Sequence, residues 1–410
     1  MKIAFPYPAY WPYVRRGVER CTHDLATYLA SRGHEVHVIT STPGRPRVGW
    51  DGKIRVTYLK QLNHPLVYGH GITLRALDFT VRATWALMRL RPQVAYLWTN
   101  SGLYWAAALR RRFGINYVSH ASVYWEHGQG RRRYPEVAGA NRLLVLNRNA
   151  VAQAEDEFGV PATVVNPPVD LATFRPVAQR DQEHPVVFFP SDIADPRKGG
   201  DLMLRAWNVI HKEVPRARLV LAGSLGVAGW FQDQYDTSMV SKLGLVKLPA
   251  AREAIEFRGP GSLEGLPFDY SRASVTVMPS VREMFGMVLT ESLACGTPIV
   301  ASAHDGPGAI ASNPAVGNTV DLRDFGDLHS RQRALDLADA VIRTIDLSRR
   351  RDTASACREW AGQWTIDRIG PQVEDILERA ASGRIESLAG GPSDANEMAL
   401  SVNELEEVGV

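Results

Sequence analysis

Two glutamates eight residues apart, Glu283 and Glu291, stand in the segment PSVREMFGMVLTESLACGTPIVAS at 279–302. A short apolar strand ends at Pro279 and a loop follows. The spacing then predicts a helix over 287–295, stopped by Gly296 before a second strand, TPIVAS. A helix that follows a strand turns its unpaired N–H groups and positive dipole end towards the ligand edge of the sheet, where a diphosphate can sit. Glu291 falls among Val288, Leu289 and Leu293. A carboxylate in such a setting needs a hydrogen-bonding partner, and a sugar hydroxyl is a suitable one. Taken singly, Glu283 reads as a helix cap and Glu291 as a solvated residue. Taken together, with Phe285-Gly286 between them and Cys-Gly-Thr-Pro after, they point to polyol and diphosphate recognition.

Other residues of chemical interest are more scattered. His120 ends the apolar strand NYVSH, and Glu126 and His127 follow in YWEHG. Lys198 stands in DPRKGG just before a helix. Alone, these read as a satisfied strand-end histidine and a surface lysine. No Asp-x-Asp pair stands at a strand end in the second half, so no metal centre is expected there.

The elements that must position these residues alternate. KIAF is a strand, GVERCTHDLATYLASRG a helix with Val18, Leu25 and Leu29 on one face, and HEVHVIT the next strand. Further strands are expected at KIRVTYL, QVAYLW, NYVSH and RLLVLN. After a polar, proline-bearing stretch at 166–184 the pattern restarts with PVVFFPS, a helix over GGDLMLRAWNVIHKEVP, then ARLVLAGS, ASVTVMPS and TPIVAS. Short apolar strands alternating with helices predict parallel sheets covered on both faces. Two such halves give two doubly wound α/β domains facing a cleft. Ligands there belong beyond the carboxyl ends of the strands.

A chain of 410 residues exceeds one ordinary core, and 45% hydrophobic with 22% charged residues fits a globular protein. Three dispersed cysteines argue against a disulfide framework or a zinc site and for a reducing compartment. The opening MKIAFPYPAY lacks the apolar core of a signal peptide, so a cytoplasmic location is expected. Residues 1–150 hold 22 Lys+Arg against 7 Asp+Glu, a net +15, offset by the rest of the chain. Such a field attracts an anionic acceptor or an acidic membrane surface, and snorkelling arginines explain it equally well. The stretch 72–91 alternates Arg with Leu, Phe and Trp as an interfacial helix does, giving peripheral contact at the inner face of the membrane. Absence of pelleting with acidic vesicles at low salt would remove that expectation. The basic runs at 110–112 and 131–133 come without a nucleic-acid motif, so no nucleic-acid partner is expected. The acidic tail 381–410 is expected to be disordered.

The 279–302 segment resembles the donor-binding motif of the family-4 retaining glycosyltransferases of GT-B fold. The likeness extends to about residue 380: Gly17-Val18-Glu19 before a helix, VVNPPVDLATFRP between the halves, Lys198-Gly199-Gly200-Asp201, LVLAGS, FDYSRASVTVMPS and WTIDRIGPQVEDILERA. It implies two Rossmann-like domains: an acceptor-binding one at 1–170, with the final helix at 364–380 packing back on it, and a donor-binding one at 185–363. The implied activity is hexosyl transfer, with retention, from a nucleotide-sugar donor to an acceptor hydroxyl, without metal or other cofactor. Glu283 would hold donor-sugar hydroxyls with the backbone around Met284, Phe285, Gly286 and Met287. Glu291 would take the ribose, Lys198 the diphosphate charge, and Gly17 would let the loop approach the phosphates. His120 would face the sugar. The sequence departs from the family at Pro190-Ser191, where Gly-Arg is usual, which makes Arg197 the candidate replacement cation. It departs again at Asn166-Pro167 and at Ala309. Base, sugar and acceptor stay open: anionic, lipid-linked and natural-product sugar acceptors all fit. Two alternatives share the fold, an epimerase or phosphorylase and a catalytically degenerate binding protein.

Overall fold

The computed structural model describes residues 1–383 apart from 12, 15, 16, 43, 61–73, 100, 102, 123–127, 194, 223–243 and 259–263. Glu126, His127 and the tail from 384 onward therefore lie outside the described residues.

The first half runs β1 (Lys2–Pro6), α1 (Gly17–Ser31), β2 (Glu35–Thr42), β3 (Arg47–Asp51), β4 (Ile54–Lys60), α2 (Leu74–Leu90), β5 (Val94–Trp98), α3 (Ala106–Phe113), β6 (Asn116–His120), α4 (Gly130–Arg133), β7 (Arg142–Val145), α5 (Asn149–Phe158) and β8 (Ala162–Val164). The second half runs β9 (Val186–Phe189), α6 (Gly200–Glu213), β10 (Arg218–Ala222), α7 (Pro249–Glu253), β11 (Ile255–Arg258), α8 (Leu266–Arg272), β12 (Val275–Met278), α9 (Met287–Ala294), β13 (Ile299–Ser302), α10 (Asp305–Ile310) and β14 (Gly317–Val320). Three helices close the described chain: α11 (Arg331–Ser348), α12 (Thr353–Ala361) and α13 (Ile366–Ala381).

Each half builds one sheet, in the orders β3-β4-β2-β1-β5-β6-β7-β8 and β11-β10-β9-β12-β13-β14. The pairings are parallel, as the buried apolar strands require, with one exception. The exception corrects the expectation of an all-parallel sheet: β3 pairs antiparallel with β4 at the edge. Its burial alternates weakly and Trp50 is 72% exposed, so RVGWD carries no apolar run to mark it as a strand. In both sheets the order reverses beside the first strand, between β1 and β5 and between β9 and β12. At such a switch point neighbouring loops diverge and leave a crevice. The loops that leave β9 and β12 carry Lys198 and Glu283, and the loop that leaves β1 leads into Gly17.

α13 lays Ile369, Val373 and Leu377 on the first half's core beside Leu25 and Leu29 of α1. Its Pro371 stands inside the helix, past the four N–H groups that have no intrahelical partner, so the bond to the Asp367 carbonyl is forgone there. Val169 N–H donates to the Trp364 carbonyl at 2.6 Å, so the connector and the start of α13 run side by side. Arg180 fastens the connector to the second half, donating to the carbonyls of Gly296 at 2.7 Å and Ser348 at 3.1 Å. α2 turns Val81, Trp85 and Arg89 outward, with the Arg89 guanidinium 3.4 Å from the Trp85 ring centroid. No helix among the described residues is long and apolar enough to cross a membrane.

Candidate functional site

Lys198 ends a short 3-10 turn, Pro196–Lys198, and Gly199 follows it with φ +73°. A Cβ on Gly199 would lie 2.2 Å from the Pro279 carbonyl oxygen, so only glycine lets this turn rest against the end of β12. Val281 N–H donates to the Arg197 carbonyl at 3.0 Å, completing the join between the two loops. The result is an ion pair between Lys198 Nζ and Glu283 Oε2, with both side chains only partly exposed.

Gly286 caps α9 at φ +98°; Leu289 N–H donates to its carbonyl at 2.9 Å, so the N–H groups the helix itself leaves over are those of Met287 and Val288. Met284 and Phe285, just before it, are buried; Phe285 meets Trp364 edge-on at 6.3 Å. Gly17, at the start of α1, faces this turn across the cleft, where an added methyl would come 3.0 Å from Met287 Sδ. Asn147 Nδ2, at the end of β7, donates to the Met284 carbonyl at 3.0 Å. The first half of the chain therefore grips the loop of the second that carries Glu283 and leads into the helix of Glu291.

Glu291, one turn into α9, is 3% exposed and holds two partners. Arg20 of α1 reaches across the cleft to its Oε1, and the Tyr270 hydroxyl donates to its Oε2 at 2.8 Å. Burial and the neighbouring Glu291 charge push the Tyr270 phenol well above its ordinary range, which keeps it a donor. Burial opposes the Arg20 charge, and Glu291 more than offsets this, raising its pKa. Gly17, Lys198, Glu283, the 284–287 segment and Glu291 thus gather around the facing helix N-termini. Arg20, Tyr270 and Asn147 join them and were not singled out from sequence. Arg20 follows directly on Gly17-Val18-Glu19, and Tyr270 lies in FDYSRAS, so proximity to the motifs was their available signal.

Two expected members stand elsewhere. Arg197 is folded back on Asp195, with Nη2 2.6 Å from Oδ2 and Nε 3.0 Å from Oδ1, and its side chain is 55% exposed. Neither contact brings it to Glu283. His120 does not face the cleft. It is fully buried, stacked on Trp98 at 4.3 Å, and its register partner on β5 is that same Trp98. Its Nε2–H donates to the Val165 carbonyl at 3.1 Å and its Nδ1 accepts from the Tyr96 hydroxyl. Both ring nitrogens are thereby used, which corrects the expectation that this side chain meets the sugar.

Burial holds the His120 imidazole at about 3, far below its ordinary range, against a smaller opposing effect of the Val165 bond. Between that value and about 6.5 the unfolded chain binds a proton that the folded chain does not. Stability is therefore present above pH 6.5 and falls as the pH drops towards 3. In urea unfolding, wild type is expected to lose roughly 2 kcal/mol more than His120→Gln between pH 7 and pH 5. Equal losses in the two proteins would remove His120 as the cause.

The architecture and motifs agree with known proteins. The family model described as "Glycosyltransferase Family 4" matches residues 15–173, and "Glycosyl transferases group 1" matches residues 172–334. The D-inositol 3-phosphate glycosyltransferase of Mycobacterium sp. (strain JLS) is 33% identical over 199 residues, 46% of this chain and 43% of that one. The protein so named from Nocardioides sp. is 30% identical over 262 residues, 60% of this chain and 55% of that one. The chain thus spans about half the length of the curated relatives it matches. Among solved structures, sucrose-phosphate synthase from Thermosynechococcus elongatus superposes with a TM-score of 0.73 at 20% identity, covering 93% of this chain and 99% of that one. Anabaena HepE in complex with UDP-glucose gives 0.69 at 16% identity, covering 92% of this chain and 99% of that one. With the two matched models running in succession from residue 15 to residue 334, and two parallel sheets facing one cleft, this chain belongs to the family-4 glycosyltransferases and has their GT-B fold.

Proposed function

We propose that this chain transfers a hexosyl group, with retention of anomeric configuration, from UDP-hexose to a hydroxyl of a phosphorylated polyol, and that it needs no metal. The observation that carries the reading is the convergence of two cations, two carboxylates and two helix N-termini at the sheets' switch points. In this reading Glu283 and the N–H groups near Phe285 and Gly286 hold donor-sugar hydroxyls, while Glu291 takes the ribose. Lys198 and the first turn of α9 meet the diphosphate, whose negative charge grows as it leaves. Fixed positive groups of this kind serve where a divalent cation otherwise would.

UDP is favoured as the nucleotide because HepE, of the same fold, is described with UDP-glucose. The phosphorylated polyol is favoured by the relatives named D-inositol 3-phosphate glycosyltransferase and by the net +15 over residues 1–150, the half expected to hold the acceptor.

A ligand that binds only the folded state raises its stability, by about 2.7 kcal/mol at a hundred times its dissociation constant. Thermal melting with UDP, GDP, ADP and dTDP, each also as a sugar conjugate, tests the donor site. UDP and a UDP-hexose are expected to raise the melting temperature. No shift with any of the eight, in protein shown to be folded, would overturn the reading.

A further inference from the structure

Across the cleft the charged groups of the donor site are matched in pairs among the described residues: Lys198 with Glu283, and Arg20 with Glu291. A carboxylate that holds a cation has fewer lone pairs left for hydroxyls, so a donor that enters competes with this arrangement. It must exchange partners with it. The hydroxyls of sugar and ribose are neutral and suit the carboxylates, whereas a diphosphate brings negative charge and needs the cations.

Among the described residues the supply of cations is short. The strand end that would offer an arginine carries Pro190-Ser191, and Arg197 is engaged with Asp195. Among the described residues of these loops, that leaves Lys198 to face the diphosphate together with two carboxylates. Arg20 is the cation placed on the opposite lip. It lies one turn after Gly17, which borders the start of α9, and its guanidinium sits 5.2 Å over the Phe174 ring at 15% exposure. Phe174 backs it without binding it by a hydrogen bond. A planar guanidinium carries several donors in one fork, so it can leave a carboxylate for phosphate oxygens by a small rotation.

We propose that Arg20 is a diphosphate-binding residue held on Glu291 until the donor arrives. On binding, the diphosphate takes Arg20 and Lys198 while the ribose and sugar hydroxyls take Glu291 and Glu283. The exchange couples the two halves of the chain to the donor, because Arg20 belongs to the first half and Lys198 to the second. This rests on the donor reading proposed above.

Calorimetric titration of UDP into wild type, Arg20→Met, Arg20→Lys and Arg20→Gln separates the cases. Loss of a charged hydrogen bond to phosphate is expected to weaken UDP binding about 10- to 100-fold in Arg20→Met. Arg20→Lys should recover part of it. Arg20→Gln, which keeps a donor for Glu291, should bind as weakly as Arg20→Met and serves if that variant does not fold. Uridine, which lacks the diphosphate, should bind no more weakly to Arg20→Met and Arg20→Gln than to wild type, read by saturation-transfer NMR. UDP binding to Arg20→Met or Arg20→Gln as tight as to wild type, or tighter, overturns the proposal and leaves Arg20 as an obstacle on Glu291. If wild type itself binds none of UDP, GDP, ADP and dTDP, the donor reading fails, and this inference fails with it.

Discussion

Glu283→Ala is expected to lower sugar transfer by about 100- to 1,000-fold, the scale at which a single group that stabilises a transition state acts. Glu283 sits on the loop between β12 and α9, 20% exposed, with Lys198 as its partner. The substitution removes the group proposed to fix the donor sugar. It leaves Glu291, Tyr270 and the buried α9 in place, so nucleotide binding should persist. The lysine left behind is 25% exposed and can be solvated, so little stability should be lost. Initial rates and thermal melting, measured together, test both parts. Transfer at the wild-type rate in the variant would remove Glu283 from the site.

The second large effect concerns backbone. Gly199→Val is expected to destabilise the protein by about 2–5 kcal/mol, combining a left-handed residue with a side chain forced into a packed wall. The wall here is the Pro279 carbonyl, whose oxygen stands 2.2 Å from where a Cβ would be. A backbone group at the end of a sheet strand cannot move aside as a flexible side chain can. The Pro196–Lys198 turn must lift off instead, taking Lys198 from Glu283. Urea unfolding and UDP titration should therefore both change. A variant with unaltered unfolding midpoint and UDP affinity would show that this close approach does not hold the lysine.

Much of the frame was legible because it rests on short-range chemistry. Apolar strands such as KIAF and VAYLW, with helices between them, can be buried on both faces only in parallel sheets, and the structure has those sheets. The helix over 287–295 was legible to within a residue, since Gly286 and Gly296 bracket an apolar run. Strands β8, β11 and β14 were missed: ATV, IEFR and GNTV are too short or too polar to show a period.

The site was legible in its residue types and less so in its directions. His120 shows why. A strand end can turn its side chain to the cleft or under it, and the answer lies with Tyr96 and Trp98 on the adjacent strand, which enclose the ring. Arg20 shows the converse. Its place in an amphipathic helix says nothing of the carboxylate 271 residues later that it meets. Arg197 and Lys198 are neighbours in sequence, and the Asp195 cap captures one while the turn delivers the other to Glu283.

The central claim is retaining transfer from a UDP-hexose bound between the two halves. It is tested most directly by incubating the full chain with 13C-labelled UDP-glucose and D-inositol 3-phosphate and following the anomeric carbon by NMR. The account predicts UDP release matched by a new α-glucosidic signal on the polyol. A β-linked product, or bound UDP-glucose that is never transferred, would contradict it.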